Sequence, residues 1–201
     1  MVSESLARII ARISGDGNLG NRQIMYFNQC DYLIQDFKKD IKTIFGNVKK
    51  SEGITNSKTK YVAVYGRHIV NFLKIFLKSY KSSDIYIPDA VLLSKNKVIK
   101  EYLTAFFDDE GCASLRLFKK TNEWKRDISI GSNSYKILMQ IKVLLTERNI
   151  KSGNVTRSHA GSERNKTYSL RITGKKNLIN FQEKVGFKHP KKRDELKKHI
   201  K

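Results

Sequence analysis

Two acids, each followed by glycine at the end of an apolar run, are the residues best suited to chemistry: Asp16-Gly17 and Glu110-Gly111. The first run extends from Leu6 and the second from Ile99, and each has a small residue, Ala11 or Ala105, in the turn before its acid. Both runs read as helices up to the glycine. An acid at the C-terminal end of a helix adds to a negative macrodipole, which costs stability. Two such acids brought side by side repel unless they are protonated or bridged by cations. Oxygen ligands favour a hard divalent ion, Mg²⁺ before others. Beside a phosphate backbone, one carboxylate per centre suits metal-assisted hydrolysis of two phosphodiester bonds. Asp-Gly alone is an ordinary turn signal. Its recurrence after the same kind of apolar run sets this pair apart.

The charge balance points to the same substrate. The 201 residues include 40 Lys and Arg against 19 Asp and Glu, a net charge of +21. Such an excess attracts polyanions, nucleic acid first. An anionic membrane surface and a merely soluble basic protein are the rivals. Ten Phe and nine Tyr interleave with the charges, which indicates a folded basic protein and not a basic tail. No apolar segment approaches a membrane span. Glu4, Arg8 and Arg12 interrupt the only apolar stretch near the start, so no secretory signal is expected. Cys30 and Cys112 are too few for a disulfide framework and lack zinc spacing. They read as thiols of a reducing, intracellular compartment, cytoplasm or nucleoid, with an organelle left open. His68, His159, His189 and His199 have no metal-ligand spacing, and no nucleotide loop is present, so neither zinc nor ATP is expected.

The elements that must position the acids occur twice. Gly46-Asn47-Val48 and Tyr61 correspond to Gly153-Asn154-Val155 and Tyr168, and Asn71-Phe72 to Asn180-Phe181, in the same order. The chain therefore divides into a first half over 1–80, a linker over 81–98 containing Pro88, and a second half over 99–201. Each half reads as helix, hairpin, helix, hairpin, helix. Strands are expected near 23–29, 47–51 and 60–65, then near 114–120, 125–132, 154–158 and 167–172. Helices are expected over 32–45, 68–78, 134–148, 175–185 and from 191 onward. Ala7, Ala11 and Gly15 share one helical face, which permits close approach of the second motif helix. Parallel packing of the two would bring Asp16 and Glu110 to one end, with Gly17 and Gly111 leaving in left-handed conformations.

Alternation assigns the strand faces. With Ile24, Tyr26, Ile128 and Ile130 inward, Gln23, Met25, Lys125, Asp127 and Ser129 face a partner. The same reading turns Lys60 and Val62 outward, with Thr167, Ser169 and Arg171 in the second half. Arg116 and Lys120 share a face, and Lys49 and Arg157 add cations near it. Basic residues there can read base edges or only hold phosphates. Trp124, between Glu123 and Lys125 at a hairpin tip, has two readings, a DNA contact or packing on a neighbouring loop.

These residues resemble the LAGLIDADG homing endonucleases in their single-chain, two-motif form. The second motif, Leu103 to Gly111, is close to the family pattern; the first, Ile9 to Gly17, is looser, with Arg12 at a usually apolar position. The passages Phe27 to Ile34, Gly131 to Leu138 and Val185 to Lys192 extend the likeness over nearly the whole chain. The resemblance implies an α+β fold of pseudo-twofold duplicated αββαββα halves. Two antiparallel four-stranded sheets would form a DNA-binding saddle, with the motif helices at the central interface. It implies that Asp16 and Glu110 bind metal and activate water, helped by the carbonyls of Gly15 and Asp109. Around them it places a polar group at Asn28 or Gln29, its counterpart at Ser132 or Asn133, and a lysine or arginine at Lys175 or Arg67.

The implied activity is a Mg²⁺-dependent staggered double-strand break in a long asymmetric DNA site, made by a monomer. Mn²⁺ would substitute, and Ca²⁺ would support binding without cleavage. The alternative is an RNA-splicing maturase, with intron RNA as partner, or a non-catalytic DNA-binding regulator on the same scaffold. Both acids are retained, which favours the enzyme. The ends carry no splicing-type Cys or Asn, so an intein-embedded origin is not expected.

Overall fold

A computed structural model describes residues 1–78, 81–118, 123–157 and 167–200. Among these residues it contains eight α-helices and two four-stranded antiparallel sheets, in two compact units. The units do not follow chain order: one comprises 1–81 and 87–109, the other 82–86 and 110–201.

The first unit begins with α1 (Glu4–Ser14), whose N-cap Ser3 accepts a hydrogen bond from the Leu6 amide. Then follow β1 (Gly17–Leu19), β2 (Gln23–Phe27), α2 (Asp31–Phe45), β3 (Lys50–Ile54), β4 (Lys60–Tyr65), α3 (Arg67–Lys74) and α4 (Asp89–Leu92). The sheet order is β1-β2-β4-β3. One sheet face supplies Ile24, Tyr26, Val62 and Val64 to a core completed by Leu33, Phe37 and Ile41 of α2 and Ile69, Val70 and Leu73 of α3, all buried. Strand β1 and helix α4 went unseen in the sequence because each is too short to show a period.

The second motif helix, α5 (Asn96–Glu110), packs within this first unit up to Asp109. Lys97 pairs with Glu4 and Arg8 with Glu101, so α5 runs beside α1 in the same direction. Ala7, Ala11 and Ala105 are completely buried, as their size on a close-packed face requires.

The expected left-handed exits at the two glycines do not occur. Neither Gly17 nor Gly111 has a positive φ, and each is the first residue of a strand. Glycine is needed at 17 for another reason: a Cβ there would lie 2.4 Å from the Ile13 Cα. The chain reverses so closely over α1 that no side chain fits.

The second unit contains β5 (Gly111–Phe118), β6 (Glu123–Ser132), α6 (Tyr135–Glu147), β7 (Thr156–Arg157), β8 (Tyr168–Thr173), α7 (Lys175–Lys184) and α8 (Pro190–Ile200), with sheet order β5-β6-β8-β7. Its core repeats the first, with Ile128, Ile130, Leu170 and Ile172 covered by Ile137, Leu138 and Ile141 of α6 and Leu178 and Phe181 of α7. Residues 82–86 are latched to the start of α6. Ser134 Oγ donates to the Ile85 carbonyl, and Lys136 Nζ sits 4.3 Å over the Tyr86 ring.

A buried ionic cluster joins α1 to α2. Arg12 is completely buried; its guanidinium donates to Asp36 at 2.6 Å and Asp40 at 3.3 Å. Arg8, one turn earlier, reaches Asp40 and Glu101. Removing one partner from such a cluster leaves an uncompensated buried charge. Arg12→Ala is expected to lower unfolding stability by about 3–5 kcal/mol. Lys97→Ala, which breaks only an exposed pair, should leave the urea midpoint unchanged.

Candidate active site at the end of the first motif helix

Asp16 follows Gly15, the C-cap of α1, and is exposed. Its backbone is clamped: the Gly15 amide donates to the Ala11 carbonyl, and the Asp16 carbonyl accepts from the Phe27 amide. The pairing of Gly17 with Tyr26 sets the register, so Asn28, just past the end of β2, comes next to Asp16.

Of the two candidates Asn28 and Gln29, the structure brings Asn28 to the acid, and Gln29 is exposed. The Asn28 amide has a defined orientation. Its Oδ1 accepts from the Cys30 amide at 2.9 Å, so the NH₂ group must face the other way. There it has three acceptors: Asp16 Oδ2 at 3.4 Å, Asp109 Oδ1 at 3.2 Å and Tyr26 Oη at 3.1 Å. Two N–H groups are thus shared among three oxygens.

The carboxyl of Asp109 was not legible in the sequence, where only the carbonyl entered. It turns inward and accepts from Tyr26 Oη at 2.6 Å. Burial pushes the Asp109 carboxyl well above the usual carboxylate range, and the charge of Asp16 pushes the same way. Tyr26 and Arg12 oppose this shift without cancelling it. Burial, then the Asp109 charge, raises the Tyr26 phenol as well, so the phenol keeps its proton and donates it. Arg12 lies 5.7 Å from the centre of the Tyr26 ring. Burial works against the Arg12 charge, but Tyr26, Asp36 and Asp109 outweigh it and the guanidinium stays protonated.

Hard oxygen donors are what this end of α1 offers, and they fit a divalent ion of the Mg²⁺ type. Such an ion commonly uses one or two carboxylates and takes further oxygens from substrate phosphates and water. Among the described residues no group of three or more His, Cys, Asp or Glu forms a cage.

In the second unit Glu110 ends α5 and Gly111 starts β5, paired with Ile130 as Gly17 is with Tyr26. The register therefore equates Asn28 with Ser132. Ser132 Oγ accepts from the Ser134 amide as Asn28 Oδ1 does from Cys30. Asn133 is exposed and bonds to Ser82 and Thr167. The same ladders equate Val62 with Leu170, so Tyr61 corresponds to Ser169 and not to Tyr168. Lys175 and Arg67 open α7 and α3, following Thr173 and Tyr65. Those strand ends lie opposite Asp127 and Gln23, about 10 Å along the strands from the residues that pair with Gly111 and Gly17.

The strand faces need four corrections. Val62 pairs with the inward Tyr26 and is fully buried. Lys60, of the same parity, is on the helix side, where its Nζ meets Asp31 at 2.6 Å. Arg157 pairs with Tyr168, whose ring packs on Tyr135 of α6, and so shares that helix-side face. Asp127 has the expected parity but is covered, accepting from Ser114 Oγ. Gln23, Met25, Ser129, Ser169 and Arg171 are on the faces away from the helices, with Lys49 beside Tyr65. Thr167 shares the parity of Ser169 and donates to Asn133. Lys125 is exposed and opposite Arg116 in the ladder; Lys120 lies outside the described residues. Trp124 is exposed and has the helix-side parity.

Residues 97–186 match the LAGLIDADG-like domain family. The structure superposes on I-DmoI in complex with DNA and Mn with a TM-score of 0.62 and 16% identity, covering 91% of this chain and 96% of that one. For I-WcaI bound to its DNA recognition sequence the TM-score is 0.64 at 15% identity, over 98% and 87%. The chain carries the LAGLIDADG fold. The N-terminal LAGLIDADG domain of DUF199/WhiA matches with a TM-score of 0.59 at 15% identity, over 91% and 81%. In sequence, the chain is 28% identical to a probable translation initiation factor IF-2 of Methanocaldococcus jannaschii over 66% of its length, and 23% identical to the replication factor C small subunit of that organism over 99%. It spans only about a tenth of either relative, 11% and 10%.

On this LAGLIDADG sheet the corrected faces give a contrast. Arg171→Ala is expected to weaken duplex binding about five-fold and to lower the salt dependence by about one counterion. Lys60→Ala should change neither. Fluorescence anisotropy across a salt series measures both.

Proposed function

We propose that this chain is a site-specific DNA endonuclease that makes a double-strand break in a long, asymmetric duplex with the help of a divalent ion. The observation that carries this reading is the exposed Asp16 carboxylate, clamped at the end of α1 and facing the oriented amide of Asn28. The fold shared with DNA-bound I-DmoI and I-WcaI supports it, as does the net charge of +21.

In this reading Asp16 would hold one divalent ion and Glu110 another, and the Gly15 and Asp109 carbonyls would be further oxygen ligands. Such an ion, when bound, lowers the pKa of a coordinated water and stabilises charge on the phosphate. Asn28 donates toward Asp16 Oδ2 and so holds the carboxylate in a defined orientation. In the second half Ser132 occupies the corresponding place. The outward residues Gln23, Met25, Ser129, Ser169 and Arg171 meet base edges and phosphates, Arg171 being able to make a bidentate contact. Two unequal sheets on one chain read an asymmetric site without a second copy. The two curated relatives carry unlike names over a segment one-tenth of their length, which supports an activity belonging to the segment itself.

Asp16→Asn and Glu110→Gln are each expected to abolish double-strand cleavage in Mg²⁺ while duplex affinity in Ca²⁺ stays within about three-fold of wild type. Cleavage of both strands at the wild-type rate by either variant contradicts these roles. Salt-sensitive binding with no cutting in any divalent ion would instead identify a DNA-binding regulator on the same fold.

A further inference from the structure

The Tyr26 hydroxyl lies at the one point where the Asp109 carboxyl and the Asn28 amide meet, although its ring is core. It gives its single proton to Asp109 Oδ1 at 2.6 Å and accepts from Asn28 Nδ2 at 3.1 Å. Asn28 Nδ2 lies 3.2 Å from the same Asp109 oxygen, so the three groups close a small ring of hydrogen bonds. With Oδ1 held by the Cys30 amide, both ends of the Asn28 amide are fixed, and its second N–H is aimed at Asp16. The ring cannot slide away from this point. Tyr26 is fully buried, packed on Phe37 at 4.9 Å between centroids and flanked by Arg12, which Asp36 and Asp40 hold in turn.

We propose that Tyr26 is a positioning residue, whose hydroxyl, through Asp109, orients the Asn28 amide toward Asp16. Its part in cleavage rests on the endonuclease reading; its part in orienting Asn28 does not. Tyr26 touches no reacting group. Its effect passes through Asn28; in the second half Ile130 holds the register position of Tyr26 and Ser132 that of Asn28, so no hydroxyl stands at the place of the Tyr26 phenol.

The test is Tyr26→Phe, which keeps the ring and removes the hydroxyl, alongside Asn28→Ala and the double variant. In metal-free, DNA-free protein the side-chain amide of Asn28, assigned by its loss in Asn28→Ala, is observed by NMR. Wild type is expected to show two well-separated, slowly exchanging N–H signals. In Tyr26→Phe these should move toward solvent-exposed values and exchange about ten-fold faster, while the Asn133 amide is unchanged. Single-turnover cleavage should fall about ten-fold in either single variant and no further in the double, with duplex affinity unaltered. Unchanged Asn28 signals in Tyr26→Phe, or additive losses in the double variant, overturn the proposal. A wild-type chain that cuts no duplex overturns the endonuclease reading, and the amide signals still decide for or against Tyr26.

Discussion

A buried arginine and a half-buried one on the same helix need carboxylates to meet their charges, and pairing Arg12 and Arg8 fixes much of the first unit. The partners are Asp36 and Asp40 on α2 and Glu101 on α5. Each pairing has strict geometry, because a guanidinium fork donates to carboxylates only in certain directions. The cluster therefore sets where α1 stands along α2 and α5, and so where Asp16 emerges. Without that constraint the small-residue face of Ala7 and Ala11 would allow α1 to slide. Arg12 also flanks Tyr26, so the helix clamp continues into the sheet and ends at Asn28 and Asp16.

The arrangement is expensive in a way that ordinary packing is not. Burial of Arg12 and Asp40 and the drawing-in of Asp109 each carry a desolvation cost, and hydrophobic residues of similar volume often serve stability equally well. The return is an exposed carboxylate with a defined backbone and a defined amide neighbour. A site that must present oxygen ligands to a phosphate-bound cation gains from having them fixed in advance. On each sheet face turned away from the helices stand side chains such as Gln23, Met25, Ser129, Ser169 and Arg171, most of them able to donate or accept hydrogen bonds.

Much of this was legible in the chain. The acid-glycine repeats located both motif helices, and alternation placed Ile24, Tyr26, Ile128 and Ile130 in the two cores. The failures have physical causes. Between Tyr61 and Tyr65 three apolar residues stand in a row, so β4 offers no alternation, and only the ladder with β2 turns Lys60 and Val62 to the helix side. Asp108, Asp109 and Glu110 are consecutive acids, and sequence alone cannot show that the Asp109 carboxyl turns inward to Tyr26. Gly17 was read as a conformational device, yet its backbone is ordinary for any residue; its smallness against Ile13 is what matters, and that depends on a tertiary approach. Arg12 looked like a departure from an apolar pattern. Its partners lie on α2, too distant in sequence to be paired by spacing.

Central here is the proposal that a chain of LAGLIDADG fold with this oriented acid cuts DNA at one long site. A cleavage selection on a randomised duplex library in Mg²⁺, with the ends sequenced and a Ca²⁺ control, tests it most directly. The account predicts a single asymmetric sequence recovered with paired, staggered cuts in Mg²⁺ and none in Ca²⁺. Recovery of no cut ends in Mg²⁺, with salt-sensitive binding to the same library intact, would contradict it.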